Sequence, residues 1–90
     1  MNATQLADLC EQAGVKIGEY YDEHDARIRI AIEVSGAQDL LNAASVLFDH
    51  AEEAGLVQNL AEAFRNSRMH NPYAKMNQPN YIVFAMDWPF

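Results

Sequence analysis

The sequence predicts a small α+β domain, and two segments carry the prediction. In residues 27–34, RIRIAIEV, isoleucine and valine alternate with charged or small residues. This strict period of two with β-branched side chains is typical of a half-buried strand. Residues 37–68 instead repeat apolar side chains at helical spacing on both sides of Gly55, which indicates two consecutive helices. An all-α helical bundle is the alternative fold class.

Length and composition indicate a single globular domain spanning residues 1–90. Half of the residues are hydrophobic, which argues against a disordered acidic tail. The net charge of −7 argues against nucleic acid or an anionic membrane as partner, because six basic residues offset few phosphates. A basic protein partner, mimicry of DNA, or simply a solvated surface would each suit this acidity.

A short N-terminal helix is predicted over residues 4–13. Thr4 or Asn2 can cap its start, and Gly14 can adopt the left-handed conformation that ends many helices. The apolar stripe of this helix consists of Leu6, Leu9, Cys10 and Ala13. Because Cys10 lies within the stripe, we interpret it as a buried structural cysteine and not a reactive thiol.

The helical pair is predicted over about 37–54 and 56–68. Ser35 and Gln38 have the S-x-x-Q spacing of a capping box, which would open the first helix. Gly55 would close it. Because the link between the two helices is so short, we expect them to lie antiparallel.

Weaker patterns complete the predicted architecture. Residues 15–26 contain an acidic cluster that should form an exposed turn, and a hairpin of residues 16–21 with the strand at 27–34 is one interpretation. After a predicted loop at 73–80, the apolar tail contains a strand at about 81–86. This strand and residues 27–34 would form a small sheet, on which the N-terminal helix and the helical pair pack.

Catalytic and cofactor-binding motifs are missing from the sequence. It contains no G-x-S-x-G elbow, no phosphate-binding glycine loop and no zinc-type spacing around His24, His50 or His70. The acidic cluster at residues 19–25 lacks the ligand spacing of a calcium loop. We therefore predict a protein that is not an enzyme and that uses no metal or other cofactor.

Cysteine usage and hydropathy predict a cytoplasmic protein. Cys10 is the single cysteine, so the chain cannot form an internal disulfide, which suits a reducing compartment. The first residues lack a basic leader followed by an apolar run. No stretch approaches the roughly twenty apolar residues that a membrane span requires. We expect no membrane partner.

Charged residues on the helical pair are the main candidate interaction surface. Glu52 and Glu53 are acidic near the end of the first helix, whereas Arg65 and Arg68 are basic near the end of the second. Glu62 lies between them in sequence. Separated patches of opposite sign would allow head-to-tail self-association or pairing with a related protein module. We expect a protein partner or self-association.

Two strand residues are further candidates for this interaction. Arg27 and Arg29 should project from the same, outward side of the strand at 27–34. The two arginines would either contact an acidic partner or protect an edge strand from aggregation. Both interpretations remain open at this point.

Residues 36–72 resemble the C-terminal part of the bacterial effector-associated domains, which are death-like adaptor modules. The likeness lies in the run AEEAGLVQNLAEAFRNSRMHNP. Its matching positions are Ala51, Glu52, Gly55, Val57, Leu60, Ala63, Arg65, Asn71 and Pro72. The resemblance implies an all-helical, death-like fold that recruits or tethers an effector through helical contacts, without catalysis.

These observations together predict a non-catalytic adaptor or recruitment module in a bacterial defence or signalling system. The alternative is a small acidic phage-type inhibitor that binds and blocks a host defence protein. Size and acidity suit the inhibitor, and the helical pair suits the adaptor. Both functions depend on a surface and not on a catalytic centre.

Overall fold

The computed structural model describes residues 1–70 and 80–90. These residues form an antiparallel sheet of four strands in the order β1-β2-β4-β3, together with three helices. The elements are α1 (Ala3–Ala13), β1 (Ile17–Asp22), β2 (Arg27–Val34), α2 (Ala37–Ala54), α3 (Val57–Arg65), β3 (Arg68–His70) and β4 (Asn80–Asp87). The predicted α+β class is confirmed, and the all-α alternative is wrong.

The two predicted strands form the centre of the sheet. In β2 and β4, Ile32 pairs with Ile82 and Ala31 pairs with Val83. The register then shifts at a bulge, so that Arg29 pairs with Asp87. The hairpin of β1 with β2 is also confirmed, with β1 as an edge strand.

The helices pack on one face of the sheet and form the hydrophobic core with it. Alternate side chains of β2 and β4 point toward the helices, because successive residues of a strand face opposite sides. The fully buried large side chains of this core are Leu6, Cys10, Ile30, Ile32, Val34, Leu47, Leu60 and Phe84. Helices α2 and α3 meet at Phe48 and Phe64, whose ring centroids are 5.7 Å apart. Phe64 in turn packs against Phe84 of β4, with the two ring centroids 5.3 Å apart.

The alternation predicted for β2 is correct for three of its four β-branched residues. Ile30, Ile32 and Val34 are buried against the helices, whereas Ile28 is 46% exposed. Ile28 lies near the hairpin end of the strand, opposite the exposed Tyr21. Ala31, on the opposite face, is also fully buried, which the pattern did not predict.

The first helix begins at Ala3, one residue earlier than predicted, and ends at Ala13 as predicted. Asn2 is the cap, and its side chain accepts a hydrogen bond from the Gln5 amide at 2.8 Å while the Gln5 side chain accepts one from the Asn2 amide at 2.9 Å. This reciprocal capping box satisfies two otherwise free amides. Gly14 ends the helix with φ 70°, in the left-handed region.

The capping box predicted for Ser35 and Gln38 is wrong. Gly36 is the cap of α2, and no side chain caps the helix at that position. The Ser35 amide and hydroxyl instead donate to the Asp39 carboxylate at 2.8 and 3.3 Å. Asp39 is a stronger acceptor than the Gln38 amide, because it is charged and lies in the first turn of the helix. Gln38 donates to Asn42.

The second helix of the pair is shorter than predicted and ends at Arg65. The Ser67 hydroxyl donates to the Phe64 carbonyl at 2.6 Å, which satisfies one of the last carbonyls of α3. Arg68 already belongs to β3, because its segment pairs with β4. The predicted stop at Asn71 and Pro72 lies outside the described residues, as does nearly all of the predicted loop at 73–80.

Gly55 joins α2 to α3 in the left-handed conformation, with φ 71°. No atom outside the local backbone lies within 4 Å of the position that a Cβ would take, so the cost of a substitution is conformational and not steric crowding. We expect Gly55→Val to lower the free energy of unfolding by at least about 1–2 kcal/mol, because a β-branched residue is strained at positive φ. Denaturant unfolding monitored by circular dichroism measures this change.

Gly36→Ser is the matched control for this substitution. Gly36 is also open to solvent at its Cβ position, but its φ of 166° is extended backbone that any residue adopts. Serine at a helix cap should leave the stability within a few tenths of a kcal/mol of wild type. Equal midpoints for Gly55→Val and wild type would show that the link does not require the left-handed conformation.

Candidate functional site

The face of the sheet opposite the helices has a floor of small side chains, and we call it the open face. Gly18, Ala31 and Val83 lie directly across neighbouring strands in one row. Arg68 of β3 completes the row at the far edge. Ala31 and Val83 are buried although the core cluster of the helical side does not include them.

Aromatic rings from three strands meet over this floor. The Tyr20 ring of β1 lies 5.1 Å from the His70 ring of β3 and 5.8 Å from the Tyr81 ring of β4. Strands β1 and β3 are the two outer strands of the sheet, so Tyr20 and His70 reach toward each other across β2 and β4. Burial raises the pKa of the Tyr20 hydroxyl.

Asp22 is the one buried charged residue among those that the structure describes, with 7% of its surface exposed. One carboxylate oxygen accepts hydrogen bonds from the amides of His24 at 3.1 Å and Asp25 at 3.4 Å, which hold the β1–β2 turn. The other oxygen lies 3.5 Å from both Arg29 Nε and Arg68 Nη2. Asp22 therefore links the turn, the central strand β2 and the edge strand β3.

Opposing effects act on the ionisation of Asp22. Burial by itself raises the pKa of the carboxyl. The amide of Asp25 and the positive charge of Arg68 lower it, and the His24 amide and Arg29 lower it further. The lowering effects prevail, so the folded protein holds the pKa of Asp22 below its ordinary value.

Arg29 is the centre of the ionic network on the open face. Its guanidinium contacts Asp25 at 2.8 Å, Asp87 at 3.1 Å and Asp22 at 3.5 Å. Its side chain is only 13% exposed. Arg27 lies on the same side, as predicted, and forms a longer contact of 3.6 Å with Asp87 at the surface. Arg29 is thus engaged within its own chain, which favours a structural role over contact with an acidic partner.

The residues predicted at the interaction surface do not form one site. Glu52, Glu53, Glu62 and Arg65 are exposed on α2 and α3. Arg68 lies in β3, and its guanidinium is paired with Asp22 on the open face. The basic patch expected from Arg65 and Arg68 is therefore divided between a helix and the sheet.

Charge is unevenly distributed between the two layers. The cationic side chains of the sheet and its adjoining loop each contact a carboxylate; these are Lys16, Arg27, Arg29 and Arg68. The helices carry seven carboxylates, Asp8, Glu11, Asp39, Asp49, Glu52, Glu53 and Glu62, against the single arginine Arg65. Within residues 1–70 and 80–90, none of these seven forms an ion pair. As far as the structure describes the chain, the helical layer therefore carries most of the acidic side chains that have no ionic partner.

Of the cavities on the described surface, two exceed 500 Å³. One of about 560 Å³ lies on the open-face side, between the end of β1 and β3, and its lining includes Asp22, His24, Arg68 and His70. The other, of about 510 Å³, lies where the end of α1 meets α2. Ser35 lines the second cavity, but its hydroxyl is directed to Asp39, and no described histidine lines that cavity to activate it.

Among the described residues, no group of three or more histidine, cysteine or carboxylate side chains is placed to hold a metal ion. Cys10 is buried, as predicted, and burial raises the pKa of its thiol to about 12. A thiol with that pKa remains protonated at neutral pH and is a poor nucleophile. None of the described helices has the length and apolar character to cross a bilayer.

Comparison of the chain with models of protein families, with curated proteins and with solved structures finds no significant match. The resemblance of residues 36–72 to effector-associated domains accordingly stays a prediction.

The sequence patterns did not predict the open face. Tyr20, Asp22 and His70 belong to segments without a clear periodic pattern, and their proximity depends on the order of strands in the sheet. The signal available was the pair of aromatic residues Tyr20 and Tyr81, which lie in the predicted hairpin segment and in the apolar tail. That signal does not show which face the side chains share.

Asp22→Asn should lower the free energy of unfolding at about pH 7, because a neutral amide pairs weakly with Arg29 and Arg68. The depressed pKa of Asp22 also sets the direction of its pH dependence. Its contribution is fully present above the ordinary aspartate pKa of about 3.9 and is lost as the pH falls through the folded-state value. Below about pH 4 the variant should therefore lose less stability than wild type.

Denaturant unfolding at neutral and acidic pH measures both effects. Asp8→Asn is the control, because Asp8 is exposed on α1 and its substitution removes the same charge. That control should unfold at the wild-type midpoint at neutral pH. A neutral-pH midpoint for Asp22→Asn equal to that of Asp8→Asn would contradict the structural role of Asp22.

Proposed function

We propose that the protein is a non-catalytic interaction domain that binds a basic surface of a partner protein through its helical layer. The observation that carries the proposal is the uneven distribution of charge. Carboxylates of the sheet neutralise the cationic side chains of the sheet, whereas the helical carboxylates have no ionic partner among the described residues. Unpaired surface charge of one sign is available for a partner of the opposite sign.

The end of α2 is the most concentrated part of this acidic surface. Asp49, Glu52 and Glu53 are exposed and are spaced by three and four residues, which places them on one face of the helix. Leu47 and Ala51 of the same helix are buried in the core, so the acidic face is held by a rigid element. A rigid helix positions side chains for recognition more accurately than a loop does.

A basic partner is favoured over self-association. Head-to-tail pairing of two copies would need a basic patch to match Glu52 and Glu53. Arg65 is the one cationic side chain of the described helices, and Arg68 is engaged with Asp22. The described part of a second copy therefore offers little unpaired positive charge to match the acidic face.

The adaptor role predicted from the resemblance fits such a surface. An adaptor holds an effector through a rigid, charged face and contributes no chemistry of its own. We place this role in a bacterial defence or signalling system on the strength of the resemblance alone. A cytoplasmic location is proposed with it, because the single, buried cysteine suits a reducing compartment.

An inhibitor is the second candidate, and the same acidic layer supports it. A rigid helix with regularly spaced carboxylates can occupy a basic groove that otherwise binds nucleic acid. The two candidates differ in what binding does to the partner. An inhibitor would compete with DNA or RNA for the partner, whereas an adaptor would leave the nucleic-acid affinity of the partner unchanged.

Reversal of Glu52 and Glu53 to lysine should weaken partner binding by roughly three- to tenfold at low salt and less at high salt, because surface charges are screened. Affinity capture with the wild-type chain identifies the partner, and titration calorimetry with the purified partner then compares the variants. Measurements at about 0.05 M and 0.5 M salt separate the electrostatic part of the binding free energy from the rest. Circular dichroism verifies that the variant is folded.

Reversal of Asp8 and Glu11 on α1 is the matched control, since it changes the net charge by the same amount on a different helix. This control should bind more tightly than the α2 variant. Equal affinities for the two variants would show that only net charge matters, and unchanged affinity in both would contradict the acidic interface. Sedimentation of the protein alone tests self-association.

A further inference from the structure

Four large apolar side chains lie next to one another at the end of the sheet that carries the β1–β2 turn. They are Tyr21, Ile28, Trp88 and Phe90, and we call them the apolar row. Tyr21 of β1 pairs directly with Ile28 of β2. The Trp88 amide, just after β4, donates a hydrogen bond to the Ile28 carbonyl at 2.7 Å. The Trp88 ring packs edge to face against the Phe90 ring, with the two centroids 5.4 Å apart.

The apolar row lies on the face of the sheet that the helices cover. Ile28 alternates with the buried Ile30 along β2, and Tyr21 shares the face of Ile28 because the two residues pair directly. Trp88 is partly buried and packs against the hydrophobic core. The helices nevertheless leave much of the row open to solvent, since Tyr21 is 59% exposed, Ile28 46% and Phe90 77%.

The exposed apolar surface of the described residues is concentrated at this row. Six large apolar side chains are exposed among them, and three of the six belong to the row. Scattered exposed apolar residues are ordinary on a protein surface, whereas a contiguous patch marks a binding surface. Tryptophan and tyrosine are also among the side chains that most often carry the affinity of an interface. Because strands hold the row in place, binding to it costs little conformational freedom.

The charges beside the row indicate the chemistry of its partner. Glu19 alternates with Tyr21 along β1 and so shares its face, and Glu23 follows in the turn. Both glutamates are exposed, and neither forms an ion pair with a described residue. Arg27, the cation next to Ile28 in sequence, contacts Asp87 instead. An acidic border of this kind favours a partner with basic side chains around its apolar ones.

Area and charge both argue against a second copy of the chain as the occupant. The exposed part of the row is roughly 300 Å², taking 150–250 Å² for a whole aromatic side chain. A stable dimer buries about 800 Å² on each partner, so the row alone is too small for one. A second copy placed face to face would also bring the glutamates of the two rows together. A short segment of another protein needs less area and carries no such penalty.

We propose that the apolar row binds a short segment of a partner protein in which large apolar side chains are flanked by lysine or arginine, as in a basic amphipathic helix. The apolar side chains of the segment cover the row, and its basic side chains contact Glu19 and Glu23. An anionic membrane surface is disfavoured, because these carboxylates repel it. None of these residues belongs to α2, so the inference does not rest on the function proposed for that helix.

Trp88 provides a local readout of binding, because it is the single tryptophan of the chain and belongs to the row. The probe is a synthetic helical peptide of leucine and lysine, with the leucines at helical spacing. The reference peptide has alanine in place of every leucine, which preserves its charge and its helix propensity. The leucine peptide should shift the Trp88 emission to shorter wavelength and bind at least about tenfold more tightly than the reference peptide.

Substitutions in the row should weaken binding of the leucine peptide, and a matched substitution elsewhere should not. Ile28→Thr, which keeps a β-branched side chain in the strand, and Phe90→Ser should each lower the affinity about three- to tenfold. Leu41→Gln is the control, because Leu41 is 64% exposed on α2 and glutamine suits a helix. Joint substitution of Glu19 and Glu23 by glutamine should weaken binding more at about 0.05 M than at 0.5 M salt.

Four results would overturn the proposal. The first is a Trp88 emission that the leucine peptide does not change, and the second is a loss of affinity in Leu41→Gln equal to that in Ile28→Thr. The third is a wild-type dimer in sedimentation that Phe90→Ser abolishes, which would identify a second copy as the occupant. The fourth is binding to phosphatidylcholine vesicles that Phe90→Ser abolishes, which would identify a lipid surface. Loss of peptide affinity confined to the row and its two glutamates supports the proposal.

Discussion

The pairing of β2 with β4 is the constraint on which the rest of the structure depends. Arg29 and Asp87, which pair across these strands, are 58 positions apart. Closing a loop of that length costs roughly 3–4 kcal/mol in chain entropy. Burial of Ile82 and Phe84 against the helices offsets this cost, since each such side chain contributes about 1.5–3 kcal/mol. The outer strands and the three helices are then placed by their contacts with this central pair.

The two faces of the sheet carry different kinds of side chain. The helical side removes apolar surface from water, and most of the side chains that the sheet and helices bury there are large. The open face has a floor of small residues, over which longer aromatic and charged side chains extend toward each other. Among the described residues, no buried side-chain nitrogen or oxygen lacks a hydrogen-bond partner. The buried carboxylate of Asp22 accepts two amide hydrogen bonds and contacts two guanidinium groups, which is the condition for a buried charge to be tolerated.

Internal pairing of charge also explains why the molecule presents an acidic helical layer. Arg29 contacts three carboxylates, and its position at the bulge ties the register of β4 to the turn after β1. Positive charge used in this way is not available to neutralise the helices. The chain has few basic residues, and the sheet uses its arginines to pair with its own carboxylates. The helical surface on the other side of the sheet is therefore left acidic.

Local patterns in the sequence determined the helices, the strand at 27–34 and the left-handed glycines, because period, capping and turn chemistry act between near neighbours. They did not determine where α3 ends, since the pairing of Arg68 with Val83 overrides a helical pattern that continues to 68. Nor did they reveal Asp22 as a buried anchor. Arg29 meets it across the β1–β2 hairpin, whereas Arg68 meets it only because the order of strands places both side chains on the open face of the same sheet. Strand order is a property of the whole chain, set by long-range burial, and only the tertiary structure decided it.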